Sequence, residues 1–195
     1  MTAIDSGFTS RFEDAFVYAN RIHGGQKRKK TTIPYISHLM SVAALVMEDG
    51  GDEDEVIAAF LHDAVEDQGG RPRLDDIRHR FGKRVAEIVE GCTDSLDHDR
   101  DDWEGRKEEY IEHLKHASPS VLRVAAADKL HNARSILMDH RKSADEVFRR
   151  FNRSKEKTLW YYERLAEALA KAHPGFLSEE LTRVVGKLKQ RASAS

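Results

Sequence analysis

Helical periodicity runs through almost the whole of this 195-residue chain. No stretch sustains the strict apolar–polar alternation that a half-buried strand requires. The pattern predicts an all-α fold of about ten helices, over roughly 9–24, 34–48, 53–67, 73–80, 82–91, 102–117, 119–140, 143–150, 154–172 and 178–191. Pro34 and Pro119 suit first-turn positions and Ser178 suits a helix cap. Glycine pairs at 24–25, 50–51 and 69–70, and Pro174-Gly175, punctuate the helices, while the small polar tail RASAS is expected to fray. The length fits one domain, 1–195, whose last 30 or so residues, 166–195, form a helical extension.

Composition narrows the function classes. Thirty-two Lys and Arg against 34 Asp and Glu leave no charge excess to hold a nucleic acid or a membrane surface. Cys92 is the single cysteine, so an internal disulfide is excluded and a reducing compartment is expected. The start MTAIDSGFTS lacks a basic stretch followed by an apolar one, and no apolar run reaches membrane-span length, so the expectation is a cytoplasmic protein. Two loops stand out, basic HGGQKRKKTT (23–32) and acidic LDHDRDDWEG (96–105), and each reads as a solvated connection on its own.

The segment FLHDAVED (60–67) is unusual for a buried helix. At about 100° per residue, His62, Asp63, Glu66 and Asp67 fall within one arc of about 140°. Ile57, Ala58, Leu61, Ala64 and Val65 cover the other side, and Val56, Ala59 and Phe60 share the polar arc. Charged carboxylates beside apolar neighbours need a partner or a cation, and an adjacent His-Asp pair supplies a nitrogen and an oxygen donor for a divalent metal. Two donors are too few, so others must come from elsewhere. In VLRVAAADKLHN (121–132), Asp128 ends an apolar run and needs either a cation or a buried Arg or Lys, with Asn132 one turn further on the same face. In PYISHLMSVAALV (34–46), His38 opens an amphipathic helix and by itself reads as a core histidine. His131 points away from the Asn132 side, His23 opens a glycine turn, and His79, His98, His113, His116, His140 and His173 read as surface.

Taken in order, HGGQKRK (23–29), PYISH (34–38), FLHDAVED (60–67), FG (81–82), GCTDS (91–95) and ADKLHN (127–132) resemble the HD-domain phosphohydrolases. Within that family they are similar to the alarmone hydrolase branch, the hydrolase half of ppGpp synthetase-hydrolases and the small stand-alone enzymes. The resemblance covers residues 15 to about 165, and the short chain implies a stand-alone hydrolase. It implies His38, His62, Asp63 and Asp128 as metal ligands, usually for Mn²⁺, and Glu66 and Asp67 as the acidic pair that activates and positions water. It implies Arg28 and Lys29 at the base and phosphates, Asn132 at the ribose or phosphate, and, on a looser alignment, Lys157 and Tyr161 at the substrate.

Leu39, Gln68 and Ile33 depart from the residues usual beside those motifs. None of them removes an implied ligand or catalytic carboxylate, but they bear on which base is read. The implied reaction is removal of the 3′-pyrophosphate from (p)ppGpp or (p)ppApp, with a small nucleotide as partner and room for a homo-oligomer. The alternatives are another HD phosphohydrolase, such as a nucleotidase or NADPH 2′-phosphatase, or a non-catalytic nucleotide-binding module.

Overall fold

The computed structural model describes residues 7–94, 102–150 and 154–194. Ten α-helices occupy these residues: α1 Ser10–Ile22, α2 Ile36–Glu48, α3 Glu53–Leu61, α4 Ala64–Asp67, α5 Gly70–Phe81, α6 Lys83–Cys92, α7 Trp103–Leu114, α8 Pro119–Ser143, α9 Lys155–Ala172 and α10 Phe176–Ser193. A 3₁₀ segment, Ala144–Arg150, follows α8. Among the described residues no strand forms; a single bridge pairs Lys27 with Pro34 across the base of the loop between α1 and α2.

α3 is the centre of the bundle. Every residue from Glu55 to Leu61 is buried, as expected for a helix that is apolar all round, and α1, α2, α6 and α8 pack around it. Its start is fixed by a capping box, in which Asp52 accepts from the Glu55 amide and the Glu55 carboxylate accepts from the Asp52 amide. The buried Glu55 also accepts from Arg123 Nη1 of α8 at 2.6 Å, and Arg123 Nε donates to Asp49 at the end of α2 at 3.0 Å. One guanidinium thereby ties three helices together beside the core.

α8 is the long spine, touching α2, α3, α6, α9 and α10. Ser118 caps it and Pro119 takes its first turn, as the sequence predicts. It can approach α6 closely because Gly91 has no side chain: a Cβ there would sit 2.6 Å from Val121 Cγ2. α10 lies along α8 and α9 with Leu177, Leu181, Val184, Val185 and Leu188 buried.

Several predicted boundaries move. The helix predicted over 53–67 is two, because Asp63 adopts φ −94° and ψ −2° and ends the regular ladder after Leu61. The helix predicted from 73 starts at Gly70, since Pro72 fits a first turn that makes no demand on its missing N–H. Pro34 precedes α2 instead of opening it. The helix predicted over 143–150 is 3₁₀, entered through Ala144 at φ +48°. Ser178 lies inside α10, buried, with its hydroxyl donating to His173 O. The RASAS tail does not fray through Ser193: Ala192 is buried and its carbonyl accepts from Lys155 Nζ at 2.8 Å. His140, read as surface, is buried against Phe148 and bonded to Asp145 at 3.2 Å. Of the acidic loop 96–105, residues 96–101, including His98, lie outside the described residues, while Trp103–Gly105 form the first turn of α7. No helix among the described residues is long and apolar enough to cross a membrane.

Candidate metal centre and cleft

Three elements deliver the predicted ligands to one point. His38 comes from the first turn of α2, His62 and Asp63 from the junction of α3 and α4, and Asp128 from the middle of α8. His38 Nε2 lies 3.4 Å from Asp63 Oδ2 and 3.2 Å from Asp128 Oδ1; His62 Nε2 lies 3.0 and 3.6 Å from the same two atoms. Donor atoms of His38, His62 and Asp128 all fall within 4.8 Å of one another, and the three residues are buried. Both Nε2 atoms are buried without a hydrogen-bond partner. A buried polar nitrogen left unpartnered is unfavourable, and two of them aimed at two carboxylates fit a shared divalent cation.

The tautomer of His62 follows from its surroundings. Nδ1 lies 2.8 Å from Ala59 O, which can only accept, so Nδ1 carries a proton and, in the neutral imidazole, Nε2 has the lone pair. His38 Nδ1 instead lies 2.7 Å from Nδ1 of His131. Burial, with His38 and Arg28 nearby, holds His131 down at about 4. Asp63 Oδ2 also accepts from the Tyr35 hydroxyl at 2.6 Å.

Asp128 meets both needs that its buried position implies. Its Oδ2 pairs with Lys129 Nζ at 2.7 Å, while Oδ1 faces the imidazoles and accepts from Asn132 Nδ2 at 2.6 Å. Burial would raise its carboxyl, but the Lys129 ammonium beside it holds it well below the usual carboxylate range. Lys129 was missed in the sequence because adjacent helical residues do not normally face each other; its long stem curls back instead.

A cleft of about 510 Å³ opens over this centre. Glu66 and Asp67 line it beside Asp63 and Asp128. Burial and the Asp63 carboxylate push Glu66 up to about 7. Asp67 is raised too, by burial and by Asp63, and its Oδ2 accepts from Gln26 Nε2 at 2.7 Å. Cations line the same cleft: Lys27, Arg28 and Lys29 from the α1–α2 loop, Lys107 from α7 and Lys129 from α8. Arg28 Nη2 donates to Asn132 Oδ1 at 2.6 Å, which joins the basic loop to α8. The basic loop is therefore not a mere solvated connection.

Two predicted substrate residues stand elsewhere. Lys157 pairs with Glu104 at 2.6 Å, both half exposed, and does not line the cleft. Tyr161 is buried against Trp103 and Tyr162, and its neighbour Tyr162 lines the cleft instead. One residue on a helix is a rotation of about 100°, so the side of α9 that carries 157 and 161 turns towards α7.

An HD-domain family model matches residues 15–169. The chain belongs to the HD-domain family. HD domains are metal-dependent, and the His-His-Asp cluster of this one has the donor set for it. The HD chain is 33% identical over 159 residues to a guanosine-3′,5′-bis(diphosphate) 3′-pyrophosphohydrolase of Aquifex aeolicus, covering 80% of itself but 21% of that protein. It therefore spans about a fifth of the length of that relative. It is 36% identical to the human guanosine-3′,5′-bis(diphosphate) 3′-pyrophosphohydrolase MESH1 over 126 residues, 63% of this chain and 68% of that one. A solved structure of a metazoan orthologue of SpoT that hydrolyses ppGpp superposes with a TM-score of 0.75 at 25% identity, over 94% of this chain and 97% of the other.

Proposed function

We propose that this HD domain hydrolyses the 3′-pyrophosphate from a guanosine or adenosine alarmone, (p)ppGpp or (p)ppApp, using Mn²⁺ held by His38, His62, Asp63 and Asp128. The observation that carries the reading is the pair of buried, unpartnered Nε2 atoms facing two carboxylates that line a cleft, with Lys27, Arg28, Lys29, Lys107 and Lys129 among its other lining residues. Mixed nitrogen and oxygen donors favour a transition metal over magnesium. Bound there, such an ion supplies Lewis acidity towards a phosphoryl oxygen and lowers the pKa of water.

The chain's own residues do the rest. Glu66, poised at about 7, takes the proton of the attacking water as its oxygen bonds to the phosphorus on the 3′ oxygen. Asp67, steadied by Gln26, orients that water. The phosphorus–O3′ bond breaks, a proton returns to O3′, and a nucleoside 5′-di- or triphosphate and pyrophosphate leave. Arg28, Lys29, Lys107 and Lys129 offset the phosphate charge, which a protein of net charge −2 does not attract globally. Asn132, bonded between Arg28 and Asp128, links substrate contact to the metal centre. The same reading makes this a cytoplasmic enzyme of small nucleotides.

The test is product chromatography after incubating the Mn²⁺-loaded protein with ppGpp, ppApp and NADPH in parallel. Pyrophosphate release from ppGpp or ppApp is expected, and it selects the base in the same run. Phosphate release from NADPH alone, or no turnover by protein shown to hold metal, would overturn the substrate assignment.

A further inference from the structure

We infer that His131 is a positioning residue that sets the tautomer in which His38 offers its Nε2 lone pair. The inference rests on the reading of His38 as a metal ligand. The two imidazoles of the centre are anchored by different chemistry. His62 Nδ1 meets a backbone carbonyl, which leaves one tautomer available. His38 Nδ1 meets a second imidazole nitrogen, His131 Nδ1, at 2.7 Å, with the ring centroids 4.8 Å apart.

A hydrogen bond between two ring nitrogens needs one proton and one lone pair, and the proton can stand on either side. With it on His131, a neutral His38 must carry its own proton on Nε2, aimed at Asp63 Oδ2 and Asp128 Oδ1, 3.4 and 3.2 Å away. That tautomer has no lone pair for a metal. With the proton on His38 Nδ1, Nε2 is bare and faces the same two carboxylates, and His131 accepts. Only this second arrangement gives a complete ligand set, so His131 serves by accepting. It does not line the cleft, so it acts through His38. α8 carries both His131 and Asp128, so the group that orients one ligand is rigidly tied to another.

The partner of a metal-bound imidazole typically contributes about 10–100-fold in metal affinity. The experiment is Mn²⁺ titration calorimetry on the full chain for His131→Gln, His131→Lys, His131→Leu and His38→Ala, with metal-free circular dichroism of each. Gln can accept through Oε1 and is expected to stay within about threefold of wild type. Lys, a donor only, and Leu are expected to lose about 10–100-fold.

Nitrogen-detected histidine NMR of the wild-type protein loaded with diamagnetic Zn²⁺ gives a second readout, independent of any variant's folding. The proton is expected on Nδ1 of His38 and on Nε2 of His131. Tight binding by His131→Leu and His131→Lys, or equal loss in His131→Gln and His131→Leu, would overturn the inference, as would the opposite tautomers in the NMR. Unchanged affinity in His38→Ala would instead remove the metal reading on which it stands.

Discussion

Each carboxylate in the cleft has a separable task, so single substitutions give different signatures. Glu66→Gln keeps the shape of the side chain and leaves the ligands intact. It is expected to bind Mn²⁺ as wild type does while kcat falls about 10²–10⁴-fold, measured by single-turnover pyrophosphate release. Asp128→Ala should behave otherwise. It removes a ligand and also strands the partly buried Lys129 ammonium, paired to it at 2.7 Å. The expected result is loss of metal binding together with destabilisation of the metal-free protein by about 3 kcal/mol in denaturant titration. At this scale the sequence was legible wherever a residue type was chemically conspicuous. His62, Asp63 and Asp128 stand out as polar groups in apolar runs. What stayed hidden were residues whose role depends on reach or on one step of helical rotation. Lys129 folds back against its neighbour, Tyr162 lines the cleft while Tyr161 does not, and His131 turns to His38 although its position alone pointed it away.

At the scale of elements, side chains that join helices matter more than the helices' own propensities. Glu55→Ala removes half of the α3 capping box and one arm of the Arg123 clamp. A loss of about 3 kcal/mol is expected from chemical denaturation. A second clasp joins α8 to α10, where Glu180 accepts from Arg134 at 3.1 Å and from Arg183. Arg183 and Arg134 hold the Glu180 carboxyl down at about 2. Because the folded value lies below that of the unfolded chain, its contribution is complete above the ordinary glutamate range and fades as pH falls towards 2. Glu180→Gln should therefore destabilise the protein by about 1 kcal/mol at pH 7. The difference from wild type should shrink in melts taken progressively below about pH 4.5. Helix identity was mostly readable because periodicity survives single irregularities. The break at Asp63 was not, since all four residues His62, Asp63, Glu66 and Asp67 satisfy one helical arc whether or not the ladder is continuous there.

Over the whole molecule, the donors come from α2, from the α3–α4 junction and from α8, at residues 38, 62, 63 and 128. A ligand that binds only the folded chain stabilises it by mass action, about 2.7 kcal/mol at 100 times its Kd. Removing metal with a chelator should accordingly lower the melting temperature by about 5–10 °C for a chain of this size, read by scanning calorimetry with and without added Mn²⁺. A rise, or no change, would mean that these donors do not gather a metal in the folded state. The all-α class was plain from periodicity. How the helices meet was not, because a close approach such as Gly91 against Val121 depends on one missing side chain and leaves no periodic trace.

The spacing of those donors also bears on the order of events in synthesis. A nascent chain leaving the ribosome presents His38, His62 and Asp63 early, but Asp128 and the His131 that braces His38 arrive together on α8, some 65 residues later. Until that spine docks, the early segments hold an incomplete and poorly oriented chelate. The complete chelate exists only where α8 is packed on α2 and α3, so a bound metal acts as a clasp on that packing.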